Sequence, residues 1–290
     1  MKKNKINKDL MISIIIIVSS LIVILIAVLY VQEYLFFPIR YDEECYNALL
    51  NDVKTNVDSE FKEIKIVSNG KKLNGWVKFN VTDKKAPLLI FFVGNYQDSS
   101  STFVSFYQND LYKYFENYNI MIVDYPGYGL SDGKPSDKTM FDAALKVYDY
   151  AQKQEYVDTN NIVLLGYSIG TGVATYLASE RDVNGLILIS PYDQALSLYN
   201  HAANIFYGPL KLLTRYKFNS IEYAQNINVA PLIITSKDDA VIDYTFSLNL
   251  AKYFKNVYKT VVLEGISHIE YFDEESVLND IHEYLQSVLK

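Results

Sequence analysis

The sequence predicts an α/β fold: a mostly parallel central sheet with helices on both faces, a short cap insertion, and one transmembrane helix in front. Three observations predict it. After Pro87, short apolar runs alternate with helix-like stretches, the pattern of a parallel sheet buried on both sides. Two β-rich runs at 61–67 and 73–79 are joined through Asn69-Gly70, a strong antiparallel hairpin signal. Finally, residues 10–32 carry no charge and are almost wholly apolar.

That apolar stretch exceeds the ~18 residues that suggest a membrane span, and as a helix it would cover roughly 30 Å or slightly more. Its Ile and Val run is no objection in lipid, where a helix satisfies its own backbone groups. A cleaved signal peptide is the rival, but its apolar core should be shorter, and no convincing small-x-small site precedes Tyr34. A buried core helix fits less well still, because no face is polar. Lys2, Lys3, Lys5 and Lys8 precede the span against Asp9 alone, whereas Glu33, Arg40, Asp42, Glu43 and Glu44 follow it. The positive-inside rule then puts residues 1–9 in the cytoplasm and the bulk of the chain outside.

With 290 residues, half of them hydrophobic, the chain can bury one large α/β domain or two small ones. The first nine residues carry +3 and the remainder −10 of the formal −7. An acidic body has the wrong sign for nucleic acid. The single cysteine, Cys45, excludes an intrachain disulfide framework and any cysteine-based zinc site.

In chain order, 33–60 reads as a linker and 61–290 as the folded domain. Tyr34, Phe36 and Phe37 either sit at headgroup level or pack on that domain. A polar connecting helix is expected over 42–57. Beyond the hairpin, strands are expected at 88–93, 120–123, 162–165, 186–189, 232–234 and 260–263. Helices are expected at 103–115, 139–154, 171–179, 244–254 and 274–289. The stretch from 190 to 230 is too long for a plain crossover, and connections of that length are usually lids or caps. Residues 191–230 are therefore assigned to a cap; an ornamented crossover helix is the plainer alternative.

The chemistry centres on residues 161–174, N-I-V-L-L-G-Y-S-I-G-T-G-V-A. An apolar strand runs into G-Y-S-I-G and then into a small-residue helix start, the nucleophile-elbow pattern with Ser168 at its tip. A serine hydroxyl is a poor nucleophile at neutral pH and needs a base. The chain has three histidines. His201 lies in the cap segment and His282 in the final amphipathic helix, both suited to surface or packing roles. His268 follows the last strand, on the sheet edge where open α/β sheets place their sites. The acid belongs between serine and histidine, again after a strand. Asp238 and Asp239 both qualify, while Asp243 reads as a helix N-cap before Tyr244. For an oxyanion, the amide of Ile169 is one expected donor. The other should come from the loop Val93-Gly94-Asn95-Tyr96, with Asn95 favoured over Tyr96.

These residues together resemble the α/β-hydrolase superfamily, and more closely its membrane-anchored α/β-hydrolase-domain serine hydrolases, among them lysophospholipases, monoacylglycerol lipases and protein depalmitoylases. The resemblance is carried by F-F-V-G-N at 91–95, D-Y-P-G-Y-G-L-S-D-G-K-P-S at 124–136 and G-Y-S-I-G-T-G at 166–172. It continues in I-S-P-Y at 189–192, T-S-K-D-D-A-V-I at 235–242 and G-I-S-H at 265–268. It covers the chain from about Leu35 to the C-terminus. The resemblance selects Asp239 as the acid and implies a Ser168-Asp239-His268 triad forming an acyl-enzyme. The chain departs from the family where Val93 and Thr235 stand in place of histidines; the first of these braces the oxyanion loop. The implied activity is hydrolysis of a carboxylic ester or thioester, of a lipid or acyl chain, without metal or organic cofactor. A serine peptidase of the same fold and a catalytically silent membrane scaffold are the alternatives.

Overall fold

A computed structural model of the chain describes residues 8–38, 40–81 and 85–289. Lys2, Lys3 and Lys5, on which the expected orientation leans, lie outside the described residues. Helix α1 (Lys8–Phe36) is 29 residues long, hence about 44 Å at 1.5 Å per residue. None of its residues from Lys8 to Ala27 is buried. Its last turns behave differently, since Gln32, Phe36 and Phe37 are buried against the body of the protein. Of the three aromatics, Phe36 and Phe37 thus pack on the domain, while Tyr34 stays exposed.

Helix α2 (Glu43–Thr55) starts where Asp42 accepts the Cys45 N–H at 3.0 Å, a side-chain N-cap. The hairpin follows as expected. Strands β1 (Phe61–Ser68) and β2 (Lys71–Lys78) pair antiparallel, closing on Ser68 opposite Lys71. Asn69 and Gly70 both take positive φ, 49° and 73°, as a two-residue type I′ turn requires.

The sheet continues through β3 (Ala86–Phe92), β4 (Asn119–Val123), β5 (Val157–Tyr167), β6 (Gly185–Ile189), β7 (Leu232–Ser236) and β8 (Lys259–Leu263). The spatial order is β1-β2-β4-β3-β5-β6-β7-β8. β2 runs antiparallel to β1 and β4, and every pairing from β4 to β8 is parallel. Strands β4 and β6 are buried along their whole length, which is why they read as unbroken apolar runs rather than alternating ones. The edge strand β8 is largely exposed.

Helices α3 (Ser99–Gln108), α4 (Asp137–Ala151), α5 (Ile169–Glu180), α8 (Tyr244–Ala251) and α9 (Glu275–Ser287) fill the crossovers and the C-terminus. The single helix expected at 103–115 is in fact two pieces. α3 begins earlier, at a capping box built by Asp98 and Ser101, and ends at Asn109. Asp110 then adopts a left-handed φ of 53°, which no helix can continue through, and a 3₁₀ turn, Leu111–Phe115, follows. Between β6 and β7 the long connection holds α6 (Ala195–Ala203), a 3₁₀ turn, Gly208–Leu213, and α7 (Ser220–Ala224).

The parallel registers align the carboxyl ends of five strands. Phe92 lies opposite Gly166, Tyr167 opposite Ile189, Ile189 opposite Ile234, and Ser236 opposite Leu263. The residues just beyond those ends therefore share one rim of the sheet.

Candidate active site

Ser168 sits between β5 and α5 with φ 54° and ψ −122°, a conformation that costs roughly 1–3 kcal/mol for a non-glycine residue. The surrounding structure over-determines it. Its N–H donates to Ile189 O at 3.0 Å, and the flanking glycines let the turn close. A Cβ on Gly170 would lie 2.0 Å from Phe92 O, and one on Gly166 would lie 2.7 Å from Gly170 O. No side chain fits at either position.

His268 arrives on the loop after β8. Its Nε2 stands 2.9 Å from Ser168 Oγ, and its Nδ1 stands 2.8 Å from Asp239 Oδ2. With the proton on Nδ1, imidazole donates to the carboxylate and can accept from the serine. The ring is held from outside as well: Tyr167 donates its hydroxyl to His268 O and stacks on the imidazole at 5.3 Å between centroids.

Asp239 is buried and accepts from every side. Oδ2 takes the Ser190 hydroxyl at 2.6 Å and the Tyr271 hydroxyl at 3.0 Å, besides His268. Oδ1 takes the amides of Val241 and Ile242, each at 2.9 Å. Burial pushes this carboxyl up, yet His268, the Ile242 amide and Ser190 pull it net below the usual carboxylate value. Asp238 points elsewhere: it is exposed, and its carboxylate accepts the Gly265 N–H at 2.6 Å. It steadies the loop that carries His268 without touching the ring.

The other two histidines lie away from this line. His282 on α9 pairs its Nδ1 with Tyr114 O at 2.9 Å, and exposed His201 on α6 meets the edge of Phe246. Asp243 caps α8, accepting the Thr245 N–H at 2.8 Å.

Asn95 and Ile169 both line a cavity with Ser168. The Ile169 amide is the first N–H of α5 and so has no intrahelical acceptor. The loop bearing Asn95 is braced without a histidine at position 93. Gln97 Oε1 accepts the Gly94 N–H at 3.0 Å, Gly94 O accepts the Gln97 N–H at 3.3 Å, and Tyr125 donates to Val93 O at 2.8 Å. Gln97, Ser190, Tyr271 and Tyr167 were not singled out by sequence reasoning. Ser190 stood inside I-S-P-Y, and its φ of 50° is the second positive φ beside the site.

Two cavities meet at Ser168 and Asn95. One, of about 180 Å³, is apolar and lined by Phe36, Ile169, Leu198, Tyr199, Ala202, Val241 and Ile242 as well. The other, of about 130 Å³, lies toward His268 and is bounded by Tyr96, Tyr167, Ile269 and Phe272. A larger polar cavity of about 590 Å³ is lined by Tyr148, Arg181 and Asn184, at the opposite rim of the sheet and away from this chemistry. Among the described residues, no group of His, Cys, Asp and Glu is arranged to hold a metal ion.

Strand order, elbow and rim together define an α/β-hydrolase-fold protein. The family model described as the alpha/beta hydrolase fold matches residues 87–211. The chain has the α/β-hydrolase fold and is similar to α/β-hydrolase-domain proteins of that superfamily. It is 32% identical over 171 residues to alpha/beta hydrolase domain-containing protein 17C of Xenopus tropicalis, covering 59% of this chain and 50% of that one. It is 29% identical over 152 residues to aho-3 of Caenorhabditis elegans, covering 52% of this chain and 44% of that one. The chain thus spans about half the length of these relatives. An uncharacterized protein of Mycobacterium tuberculosis is 26% identical over 222 residues, 75% of this chain and 76% of that one. Among solved structures, a Pyrococcus furiosus esterase superposes with a TM-score of 0.66 at 18% identity, covering 87% of this chain and 98% of its own. Est1E of Butyrivibrio proteoclasticus, solved with ferulic acid bound, gives 0.63 at 21%, covering 78% and 98%.

Proposed function

We propose that the protein is a membrane-anchored serine hydrolase that cleaves a carboxylic ester or thioester of a lipid or acyl chain. The observation that carries this reading is the unbroken line from Ser168 Oγ to His268 Nε2 at 2.9 Å and from His268 Nδ1 to Asp239 Oδ2 at 2.8 Å. As Ser168 Oγ attacks the carbonyl carbon, His268 Nε2 takes the serine proton, and Asp239 stabilises the resulting imidazolium. Charge on the carbonyl oxygen falls to the amides of Ile169 and Asn95. His268 then returns the proton to the departing alcohol or thiol, leaving Ser168 acylated. Water, deprotonated by the same nitrogen, releases the acid and restores the serine.

The membrane part of the reading rests on α1. Residues 8–34 form a helix long and apolar enough to cross a bilayer, and the most apolar part of it is unburied. In this arrangement residues 1–9 are cytoplasmic, 10–32 span, 33–60 link, and 61–290 form the hydrolase domain with its cap at 191–230, outside the cytoplasm.

A fluorophosphonate probe tests the chemistry. It should label the wild type at Ser168, and Ser168→Ala should abolish labelling with an unchanged circular dichroism spectrum. Labelling that persists on another serine, or none on the folded wild type, sinks the proposal.

A further inference from the structure

We propose that Phe36, on the last turn of the anchor helix, forms the specificity-determining wall of the acyl cavity, so that the anchor itself limits the length of acyl chain Ser168 accepts. This inference rests on the serine-hydrolase reading and deepens it. The two cavities at Ser168 first have to be given roles. A leaving group must end beside the nitrogen that protonates it, and the cavity toward His268 is the one that offers this. The acyl chain is then left the apolar cavity of about 180 Å³ on the other side. A dry cavity of ~150 Å³ takes one benzene, so this one suits a short acyl chain of roughly that carbon count.

Phe36 lines that cavity and is 7% exposed. It packs on Tyr199 at 4.7 Å and on Tyr216 at 5.6 Å between ring centroids. One turn earlier, Gln32 is buried and grips the cap backbone in both directions. Its Nε2 donates to Leu213 O at 3.1 Å, and its Oε1 accepts the Arg215 N–H at 2.9 Å. Arg215 also pairs with Glu33 at 2.7 Å, but both side chains are more than a third exposed, so this bridge adds little. The ring is thus held by a buried clamp, and an acyl chain that runs along this cavity as far as Phe36 meets a fixed wall.

Phe37 supplies the control. It is buried in the same aromatic cluster, with Tyr216 at 4.6 Å, yet it does not line the cavity.

The test uses the full chain in nanodiscs and compares labelling rates of Ser168 by butyl, hexyl and dodecyl fluorophosphonates. Wild type should favour the shorter chains. Phe36→Ala should raise the dodecyl-to-hexyl ratio at least ~tenfold, since pocket methylenes discriminate on that scale. Phe36→Trp should lower the ratio, and Phe37→Ala should leave it alone. Melting curves confirm that each variant is folded; should Phe36→Ala fail to fold, Phe36→Leu and Phe36→Trp still read the wall. A ratio unmoved by every Phe36 change, or moved equally by Phe37→Ala, overturns the role of Phe36 and leaves the hydrolase standing. A folded wild type that no probe labels overturns the hydrolase reading and this inference with it.

Discussion

At the scale of single residues, the site turns on how Asp239 is held. Five donors converge on its carboxylate, and only His268 among them belongs to the proposed reaction. Asp239→Asn should lower kcat by about 10⁴, because the amide can present an N–H to Nδ1 and favour the wrong tautomer. Asp238→Asn should change kcat little, since that side chain bonds the Gly265 amide and not the ring. Steady-state kinetics on one acyl ester checks both, and a larger loss from Asp238→Asn would reverse the assignment. Sequence could find serine and histidine because each has a spacing signature after a strand. It could not separate Asp238 from Asp239 by chemistry, as both are carboxylates on one turn; their difference is burial. A second carboxyl shows the opposite balance. Asp124 is buried, and burial pushes it up to about 7 despite the Ser99 N–H donated to it at 2.6 Å. Its folded value lies above its unfolded one, so its contribution is complete below ~3.9 and declines as pH rises toward 7. Asp124→Asn, which keeps an acceptor for Ser99, should therefore gain on the wild type between ~pH 4 and pH 7, by at most about 4 kcal/mol. Urea midpoints at the two ends of that window measure it, and parallel curves would refute it.

At the scale of elements, two glycines separate backbone strain from steric exclusion. Gly70 has φ 73° in the hairpin turn, and a Cβ there would meet nothing within 4 Å. Gly70→Ala should thus cost only the left-handed backbone penalty, about 1–2 kcal/mol, read as a shift in urea midpoint. Gly170 has an ordinary φ, but its Cβ would sit 2.0 Å from Phe92 O. Gly170→Ala must push β3 from α5, and loss of fluorophosphonate labelling is the expected result. If Gly170→Ala labels normally at wild-type stability, the elbow is looser than the structure indicates. The elements most legible in the sequence were those with a local cause. Asn-Gly specified the hairpin, and unbroken apolar runs specified the buried strands. The break at Asp110 was not legible, because the aromatic pattern of 103–115 continues through it. Nor was the bracing of the loop bearing Asn95 by Gln97, whose side chain bonds a backbone group and so leaves no periodic trace.

At the scale of the whole molecule, α1 joins two parts that the sequence treats as separate. Its apolar length was plain from composition, but its docking was not, because Gln32 and Phe36 meet partners more than 150 positions away in the connection between β6 and β7. With α1 spanning a bilayer as proposed, that docking would hold the mouth of the site close to the surface α1 leaves. For the proposed span, charge predicts which surface that is. Lys2, Lys3, Lys5 and Lys8 precede the span, and basic residues near a span resist transfer across the bilayer. The acidic domain does not oppose this, since large domains translocate largely regardless of charge. The proposed chemistry is indifferent to side, because it needs neither a disulfide nor a cytosolic cofactor. The lysines therefore decide, and the hydrolase domain is expected outside the cytoplasm. Protease added to intact cells or spheroplasts should digest the domain and leave a small membrane-bound N-terminal fragment. Replacing the four lysines with glutamines should weaken that preference and protect a fraction of the domain. If the wild-type domain is protected until the membrane is broken, the orientation is reversed. If the protein is released soluble without its first residues, α1 is a cleaved signal, and Phe36 would then have to keep its place without an anchor behind it.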